Sequence, residues 1–365
     1  MSRNTFGRTF AVVVAGSAVA LGLAACSSSG TAEAPASEAA AAATEVAAAA
    51  TSAAAAVAEE ATEAASEAAA EGDAAAAGGQ VAVITVDPSN PYWKAEVDTA
   101  VADLTALGYE PVVNAHGNDP DKQNQFIDAA IAAGVKAIIL DPAGADESVG
   151  AVKKATDAGI PVFQVNAEIS EQGIAKAQIV SNNAQGAALG AEEWVKAMGE
   201  KGKYVELFGN PTDNNAGIRS TSYHEVIDQY PDLEMVQQET ANWDRQEGKQ
   251  KMELMIKANP DITGVIAGND EMALGAIEAL REAGMLDKVK VLGFDGNDDA
   301  VAAVAKGEMV ATVLQPIVTG TKTAVEQMQT YLTTGEAPAS EKQSIDCILI
   351  TKDVAGKLKG FVLSE

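Results

Sequence analysis

The chain has 365 residues, with 25 Lys and Arg against 52 Asp and Glu, which gives a formal net charge of −27. This length allows two domains of ordinary size, and the negative charge argues against nucleic-acid binding because DNA or RNA would be repelled. Two cysteines exclude a disulfide scaffold and a cysteine-rich zinc site, and two histidines leave little room for imidazole chemistry.

The first 25 residues have the pattern of an export signal. Arg3 and Arg8 give a positive start, and the apolar run 10–23 is shorter than the ~20 residues of a transmembrane span. The run ends in Leu23-Ala24-Ala25-Cys26, which resembles a bacterial lipoprotein signal, whose cysteine becomes the lipidated first residue of the mature chain. We therefore predict a signal peptide over 1–25, lipidation of Cys26 and an extracytoplasmic protein anchored to the cell membrane. An ordinary signal peptide with an incidental cysteine is the alternative.

The next segment is low in complexity and acidic. Residues 27–79 include 27 alanines and nine acidic residues, with no basic residue and no Leu, Ile, Phe, Trp or Tyr. Such a composition cannot bury enough apolar surface to offset the entropy of ordering. We predict that residues 26–79 form a disordered Ala/Glu-rich tether. The alternative is low-complexity sequence that arose by evolutionary drift and has no required length.

From Val81 onward, short β-branched runs alternate with longer amphipathic stretches. The predicted strands are Val81–Val86, Glu110–Asn114, Ala137–Leu140, Pro161–Val165, Ala177–Val180, Tyr204–Phe208, Glu234–Gln238, Gly264–Ala267, Lys290–Gly293 and Val310–Leu314. The predicted helices are Tyr92–Leu107, Asp121–Ala133, Asp146–Ala158, Ala184–Gly199, Asn214–Gln229, Arg245–Ala258 and Asp270–Ala283. This alternation predicts an α/β fold with parallel sheets covered by helices on both faces. Because about ten strands exceed one comfortable sheet, we expect two lobes, with the break near Ser181-Asn182-Asn183.

Polar residues follow most of the predicted strands, where ligands bind in open α/β sheets. These segments are Asp87–Trp93, Asn166, Gly209–Asn215, Asn242–Asp244, Gly268–Glu271, Asp295–Asn297 and Gln315-Pro316. Amides and carboxylates suit hydroxyl groups, and aromatic faces suit the C–H faces of a sugar ring. We predict recognition of a small polyhydroxylated molecule. Each single Asn or Asp is alternatively a helix N-cap, as we expect for Asp270 and Asp298, and Trp243 taken alone fits core packing equally well.

Three segments also carry a resemblance to a known family. They are Ser89-Asn90-Pro91-Tyr92-Trp93, Asn269-Asp270-Glu271-Met272-Ala273-Leu274-Gly275-Ala276 and Gly293-Phe294-Asp295-Gly296. They are similar to bacterial type I periplasmic sugar-binding proteins, the ribose-binding and galactose-binding group that serves ABC importers, and the resemblance extends over residues 81 to about 353. It implies two Rossmann-like lobes joined by a three-strand hinge that close on a monosaccharide. It places the N-terminal lobe at 80–181 plus about 316–345, and the C-terminal lobe at 182–315 plus about 346–365.

The resemblance also implies the ligand-binding residues. They are Asn90, Tyr92, Trp93, Asn166, Asp213, Asn215, Arg219, Trp243, Asn269, Asp295 and Gln315. The amides and carboxylates would bond hydroxyl groups, the aromatic residues would sandwich the ring, and Arg219 would contact the ring oxygen or a hydroxyl, while Asp87 is a weaker candidate. One departure is Ala167, which stands where ribose and hexose binders carry a basic residue, so a linear polyol or a cyclitol stays open as the ligand.

The predicted function is therefore the substrate-binding component of an ABC importer. We expect a monomer that binds a sugar or polyol, meets a membrane permease, binds no nucleic acid, has no enzymatic activity and needs neither metal nor cofactor. A sensor that reports the same ligand to a membrane receptor is the alternative. An enzyme would have only His116 and His224 as imidazole bases. A sugar-responsive repressor shares the fold but requires a DNA-binding helix-turn-helix where this chain has a signal and an acidic segment.

Overall fold

The computed structural model describes residues 78–364. The predicted signal peptide, Cys26 and the tether lie outside the described residues. Within residues 78–364, no helix is both long enough and apolar enough to span a membrane.

Strands and helices alternate along the described chain. The strands are β1 (Gln80–Thr85), β2 (Glu110–Ala115), β3 (Ile138–Leu140), β4 (Val162–Asn166), β5 (Ala177–Ser181), β6 (Gly202–Phe208), β7 (Leu233–Thr240), β8 (Gly264–Ala267), β9 (Lys290–Leu292), β10 (Thr312–Leu314), β11 (Lys342–Ile345), β12 (Ile348–Ile350), β13 (Leu358–Lys359) and β14 (Val362–Leu363). The helices are α1 (Pro91–Ala106), α2 (Pro120–Ala133), α3 (Val149–Asp157), α4 (Asn183–Met198), α5 (Asn214–Ile227), α6 (Arg245–Ala258), α7 (Asp270–Glu282), α8 (Asp298–Lys306), α9 (Ile317–Thr334) and α10 (Lys352–Ala355).

Six strands form the parallel sheet of the first lobe, in the order β11-β5-β4-β3-β1-β2. Helices α1 and α9 pack on one face and α2 and α3 on the other. The central strands are mostly apolar, as in β3, where Ile138, Ile139 and Leu140 are all buried. This pattern is expected for strands that are covered on both faces.

The second lobe has a parallel sheet in the order β7-β6-β8-β9. Helices α4 and α5 pack on one face, and α6, α7 and α8 pack on the other. The predicted α/β fold with parallel sheets covered on both faces is therefore confirmed.

One pair of strands at the edge of the second lobe is antiparallel. There β10 pairs with β12 in antiparallel orientation, with Thr312 opposite Ile350. β12 follows β11 after a connection of only two residues, which crosses directly from the first lobe to the second.

The chain passes between the two lobes three times. The crossings follow β5, follow β10, and join β11 to β12. After the third crossing, α10 and the small hairpin β13–β14 pack against α8 of the second lobe. The hairpin turn is held by a hydrogen bond in which the Gly360 amide donates to Asp298 Oδ1 at 2.9 Å.

Candidate functional site

The carboxyl ends of the strands of both lobes face one small pocket. Ten of the eleven predicted binding residues line it, namely Asn90, Tyr92, Trp93, Asn166, Asp213, Arg219, Trp243, Asn269, Asp295 and Gln315. The space not filled by atoms inside this pocket is about 250 Å³. Residues that are up to 225 positions apart in sequence, from Asn90 to Gln315, therefore meet at a single site.

Three aromatic side chains form much of the pocket wall. Tyr92, Trp93 and Trp243 are only 3%, 7% and 4% exposed. Trp243 has a positive φ of 67° and its ring lies directly against Gly209 and Gly268, where a side-chain carbon would collide with it or crowd it. The absence of side chains at these two glycines gives the indole its place in the pocket.

Three polar atoms of the wall have no hydrogen-bond partner within the described chain. They are the indole nitrogens of Trp93 and Trp243 and the Oε1 atom of Gln315. Buried polar groups are almost always hydrogen-bonded. These two donors and one acceptor are therefore available to a polar ligand.

Arg219 is the cationic residue of the pocket. Its Nε donates to Asn183 Oδ1 at 2.7 Å and its Nη1 donates to the Gly268 carbonyl at 2.8 Å. The guanidinium carbon lies 4.0 Å from the ring centre of Phe294 and 5.2 Å from that of Trp243. The side chain is therefore fixed on every side before a ligand arrives.

Asp295 faces Arg219 without closing a hydrogen bond, since the Nη1–Oδ1 distance is 3.7 Å. Its Oδ1 atom accepts from Gln315 Nε2 at 2.7 Å. Burial raises the pKa of the Asp295 carboxyl well above its ordinary value, although Arg219 opposes this shift. A ligand hydroxyl placed between the two side chains would bond to both, and its hydrogen bond to the Arg219 guanidinium would be about twice as strong as one between neutral groups.

The pocket residues that follow strands also cap helices. The side-chain oxygens of Asn90, Asp213 and Asn269 accept from backbone amides at the starts of α1, α5 and α7, each at 2.9 Å. The capping alternative is therefore correct for these three residues, and it coexists with their place in the pocket wall. In Asn90 the capping oxygen leaves the amide nitrogen free within the described chain.

The expected caps at Asp270 and Asp298 are wrong by one position. The capping residues of α7 and α8 are Asn269 and Asn297. The buried Asp270 carboxylate instead accepts from the backbone amides of Gly296 and Asn297 at 2.8 and 2.9 Å, and from the Thr312 hydroxyl at 2.7 Å. It thereby fixes the loop that presents Asp295.

Asn215 lies beside the pocket and does not line it. Its amide nitrogen donates to the Asn166 carbonyl at 3.2 Å, and its oxygen accepts from Asn183 Nδ2 at 2.9 Å. Because Asn166 belongs to the first lobe and Asn215 to the second, this side chain bridges the lobes. Its predicted contact with the ligand stays a prediction.

Two residues behind the wall were missed by the sequence analysis. Asn183 orients Arg219, and Asp141 accepts from Asn166 Nδ2 at 2.9 Å. Asp141 directly follows β3, so the rule applied to the other strand ends identifies it as well. Asn183 lies at the start of a helix, and no local signal connects it with Arg219.

The two histidines lie away from the pocket. His116 is fully buried and its Nε2 lies 2.8 Å from the Asp141 carbonyl, whereas His224 lies 2.9 Å from Glu206. Among residues 78–364, no group of three or more His, Cys, Asp or Glu side chains is arranged to hold a metal ion.

A wider outer cavity of about 1,030 Å³ adjoins the pocket and opens to solvent. It shares Asn90, Trp93 and Trp243 with the pocket and is also lined by Asp87. Asp87 itself is exposed, and its carboxylate accepts from the Ser89 amide at 2.9 Å. The two tryptophans therefore stand between the outer cavity and the inner pocket.

The family model, the related sequences and the solved structure that match this chain are all described as binding proteins. Residues 81–337 match the family model described as a periplasmic binding protein domain. The chain is 52% identical over 283 residues to a D-apiose import binding protein of Paraburkholderia graminis, covering 78% of this chain and 90% of the relative. It is 49% identical to a D-apiose import binding protein of Actinobacillus succinogenes, covering 78% and 92%. An ABC transporter solute-binding protein of Bacillus halodurans, solved with bound myo-inositol, matches with a TM-score of 0.72 and 28% identity, covering 78% and 98%.

Proposed function

The chain belongs to the periplasmic binding protein family, and we propose that it captures a five-carbon sugar, D-apiose or a close analogue, for an ABC importer. The observation that carries this proposal is the single pocket lined by ten residues from both lobes. The two relatives that are about half identical to the chain, and almost fully covered by it, bear the name of D-apiose import binding proteins.

The chemistry of the pocket wall supports a sugar ligand. The buried aromatic rings suit the apolar face of a furanose, while Arg219, Asp295 and the unpartnered atoms of the wall suit its hydroxyl groups.

Contacts between the lobes support capture by closure. The Ala145 amide of the first lobe donates to the Thr212 carbonyl of the second at 3.2 Å, and Asn215 donates to the Asn166 carbonyl at the same distance. A ligand that touches both lobes adds to these contacts and shifts the population toward the closed state by its differential affinity for that state. The permease of the importer would then recognise the closed form.

A cyclitol or polyol is the second candidate. Ala167, which directly follows the pocket residue Asn166 and is only 4% exposed, has no group to replace the basic contact of ribose and hexose binders. A ligand without an anomeric centre does not require that contact. The fold match to the protein with bound myo-inositol agrees with this candidate.

We also propose that the mature protein is a monomer anchored by lipid on Cys26, with residues 26–79 as its tether. Lipid chains stabilise membrane attachment by ~0.8 kcal/mol for each buried CH₂ group. Fractionation of cells that produce the Cys26→Ala variant should find the protein released from the membrane, whereas the unchanged chain stays bound. Equal membrane retention of both would contradict the anchor.

The ligand can be identified by thermal shift followed by calorimetry. The purified protein is screened against D-apiose, D-ribose, D-xylose, xylitol, D-allose and myo-inositol. A ligand at 100 times its Kd stabilises by ~2.7 kcal/mol, which corresponds to a melting-temperature rise of about 5 °C or more for a protein of this size. We expect the largest shift with D-apiose. The absence of a shift with every polyhydroxylated compound would refute the proposed function.

A further inference from the structure

Asn215 does not line the pocket, yet hydrogen bonds connect it to the pocket cation Arg219. Asn215 lies in the first turn of α5, and Asn183 is the first residue of α4, just after the chain first crosses from the first lobe to the second. Both asparagines and Arg219 are buried. Three hydrogen bonds join these side chains in series and attach the series to the backbone of the first lobe.

The series begins at the Asn166 carbonyl, which accepts from Asn215 Nδ2 at 3.2 Å. Asn215 Oδ1 accepts from Asn183 Nδ2 at 2.9 Å. Asn183 Oδ1 in turn accepts from Arg219 Nε at 2.7 Å. This series, the amide relay, therefore comprises Asn166, Asn215, Asn183 and Arg219, and it runs from the first lobe to the pocket.

The two ends of the amide relay fix the orientation of both side-chain amides. A backbone carbonyl can only accept a hydrogen bond, and the Nε–H of an arginine can only donate one. Turning the Asn215 amide would place its oxygen against the Asn166 carbonyl oxygen. Turning the Asn183 amide would place its nitrogen against Arg219 Nε. Only one arrangement satisfies every partner, so the donor and acceptor at each step follow from the geometry.

The bonding capacity of Asn183 is almost fully used within the protein. Besides its bond to Asn215, its Nδ2 donates to the Ser181 carbonyl at 3.1 Å, at the end of β5. Arg219, by contrast, uses Nε for Asn183 and Nη1 for the Gly268 carbonyl, and it also lines the pocket. A change in Asn183 therefore reaches a ligand through Arg219.

The first-lobe end of the amide relay is held in a fixed conformation. Asn166 has a φ of 65°, which is uncommon for a residue other than glycine. Its side chain is held between the Tyr92 hydroxyl and the Asp141 carboxylate, each at 2.9 Å. Because Asn166 and Asn215 belong to different lobes, the bond between them requires the lobes to be closed. Closure therefore completes the amide relay.

We propose that Asn215 is a positioning residue, which links closure of the lobes to the placement of Arg219 through Asn183. Coupling of this kind is reciprocal. A ligand held by Arg219 therefore stabilises the closed state, and closure stabilises the contact with Arg219. This inference rests on the proposed function and deepens it, and it requires no contact between Asn215 and the ligand.

The test measures binding kinetics of the full-length protein by stopped-flow fluorescence, with Kd from calorimetry. The probes are the six compounds named for the thermal-shift screen. Asn215→Ala should raise the dissociation rate about tenfold, since buried partners lose their hydrogen bonds. It should change the association rate by less than about twofold, because its bond to the first lobe forms only after the ligand has entered. An unchanged dissociation rate would overturn the proposal.

A double-mutant cycle separates the amide relay from a direct ligand contact. Asn183→Ala alone should also raise the dissociation rate about tenfold. Members of one network are not additive, so the double variant Asn183→Ala/Asn215→Ala should dissociate only about tenfold to twentyfold faster than the unchanged protein. Independent roles would multiply to about a hundredfold. That result would show that Asn215 acts without Asn183, and it would overturn the positioning role.

Asn215→Asp tests the polarity of the amide relay, and it does not depend on whether Asn183→Ala folds. The carboxylate keeps the size of the side chain and an acceptor for Asn183, but it turns an oxygen toward the Asn166 carbonyl. This variant should dissociate at least as fast as Asn215→Ala, and wild-type kinetics would overturn the proposal.

Asn259→Ala is the matched control, because the Asn259 amide donates to Gln237 Oε1 at 2.9 Å, away from the pocket. It should keep both wild-type rate constants, and a loss equal to that of Asn215→Ala would mean that any lost amide has this effect. Each of these contrary results leaves the proposed function intact. Failure of the unchanged protein to bind any polyhydroxylated compound would refute the proposed function and this role with it.

Discussion

Tyr92 and Phe361 belong to different lobes and pack edge to face, with ring centres 5.8 Å apart and ring planes at 79°. Tyr92 lies in the first turn of α1 and lines the pocket, whereas Phe361 sits at the turn of the C-terminal hairpin. Phe361 is 7% exposed and has a φ of 62°, a conformation that a bulky residue adopts only when its surroundings fix it. The hairpin therefore supports a pocket residue from the opposite lobe.

Replacing Phe361 with Ala should weaken ligand binding about tenfold. An edge-to-face pair contributes ~0.5–1.5 kcal/mol beyond the area it buries, and this pair joins the two lobes in the closed state. Calorimetry gives the Kd, and stopped-flow fluorescence should show the loss as faster dissociation. Val362→Ala is the control because Val362 is 53% exposed. Equal Kd values for the two variants would show that the hairpin has no part in binding.

Trp243→Phe should weaken binding about tenfold without unfolding the protein. The change keeps an aromatic ring in the wall but removes the unpartnered indole N–H, and a net hydrogen bond contributes ~0.5–1.5 kcal/mol. Trp194→Phe is the matched control, since the Trp194 indole donates to the Lys290 carbonyl at 2.9 Å, away from the pocket. That variant should lower the melting temperature and leave the Kd unchanged. If Trp243→Phe binds normally, the indole N–H is not a ligand contact.

Gly275→Ala should destabilise the protein by roughly 1–3 kcal/mol. A side-chain carbon at Gly275 in α7 would collide with the backbone of Arg245 and Lys249 in α6, so the two helices would have to separate. Gly217→Ala in α5 is the control, because no atom lies within 4 Å of the added carbon. It should stabilise by about 0.5–1 kcal/mol through helix propensity. Urea unfolding measures both, and similar stabilities would contradict the close helix packing.

His224 and Glu206 should make stability decline at alkaline pH. The hydrogen bond to Glu206 raises the pKa of His224 above its ordinary value of 6.5. A raised pKa for a cation means that this stabilisation is complete below about pH 6.5 and is lost as the pH rises through the folded-state pKa. Unfolding free energies measured across this range should fall in the unchanged protein, and Glu206→Gln should remove most of the fall. The same decline in both proteins would mean that another group causes it.

Much of the fold could be predicted because the sequence patterns that specify its helices and strands lie within each segment. The predicted helix Tyr92–Leu107 corresponds to the observed α1, Pro91–Ala106, and the predicted strand Gly264–Ala267 is β8 without change. Apolar periodicity and the glycines after helices specify such segments without reference to the rest of the chain. The antiparallel strand β12 was not predicted, since its partner β10 lies more than 30 residues earlier.

The sequence was enough to predict which residues form the site, but not which side chains contact each other there. Polar residues after strands converge because parallel strands end at one edge of a sheet, and ten of the eleven predicted residues line one pocket. Asn183 and Phe361 carry no such signal, since their contacts with Arg219 and Tyr92 arise only from tertiary packing.

Three side chains both cap helices and line the pocket, and this limits how the ligand preference of the pocket can be redesigned. Asn90, Asp213 and Asn269 hold helix starts with the same side chains that line the pocket. Changing them to suit a new sugar would cost about 0.5–2 kcal/mol of stability each. Trp93, Trp243 and Gln315 cap no helix. A library aimed at new sugars should therefore vary these three positions first and keep the capping residues constant.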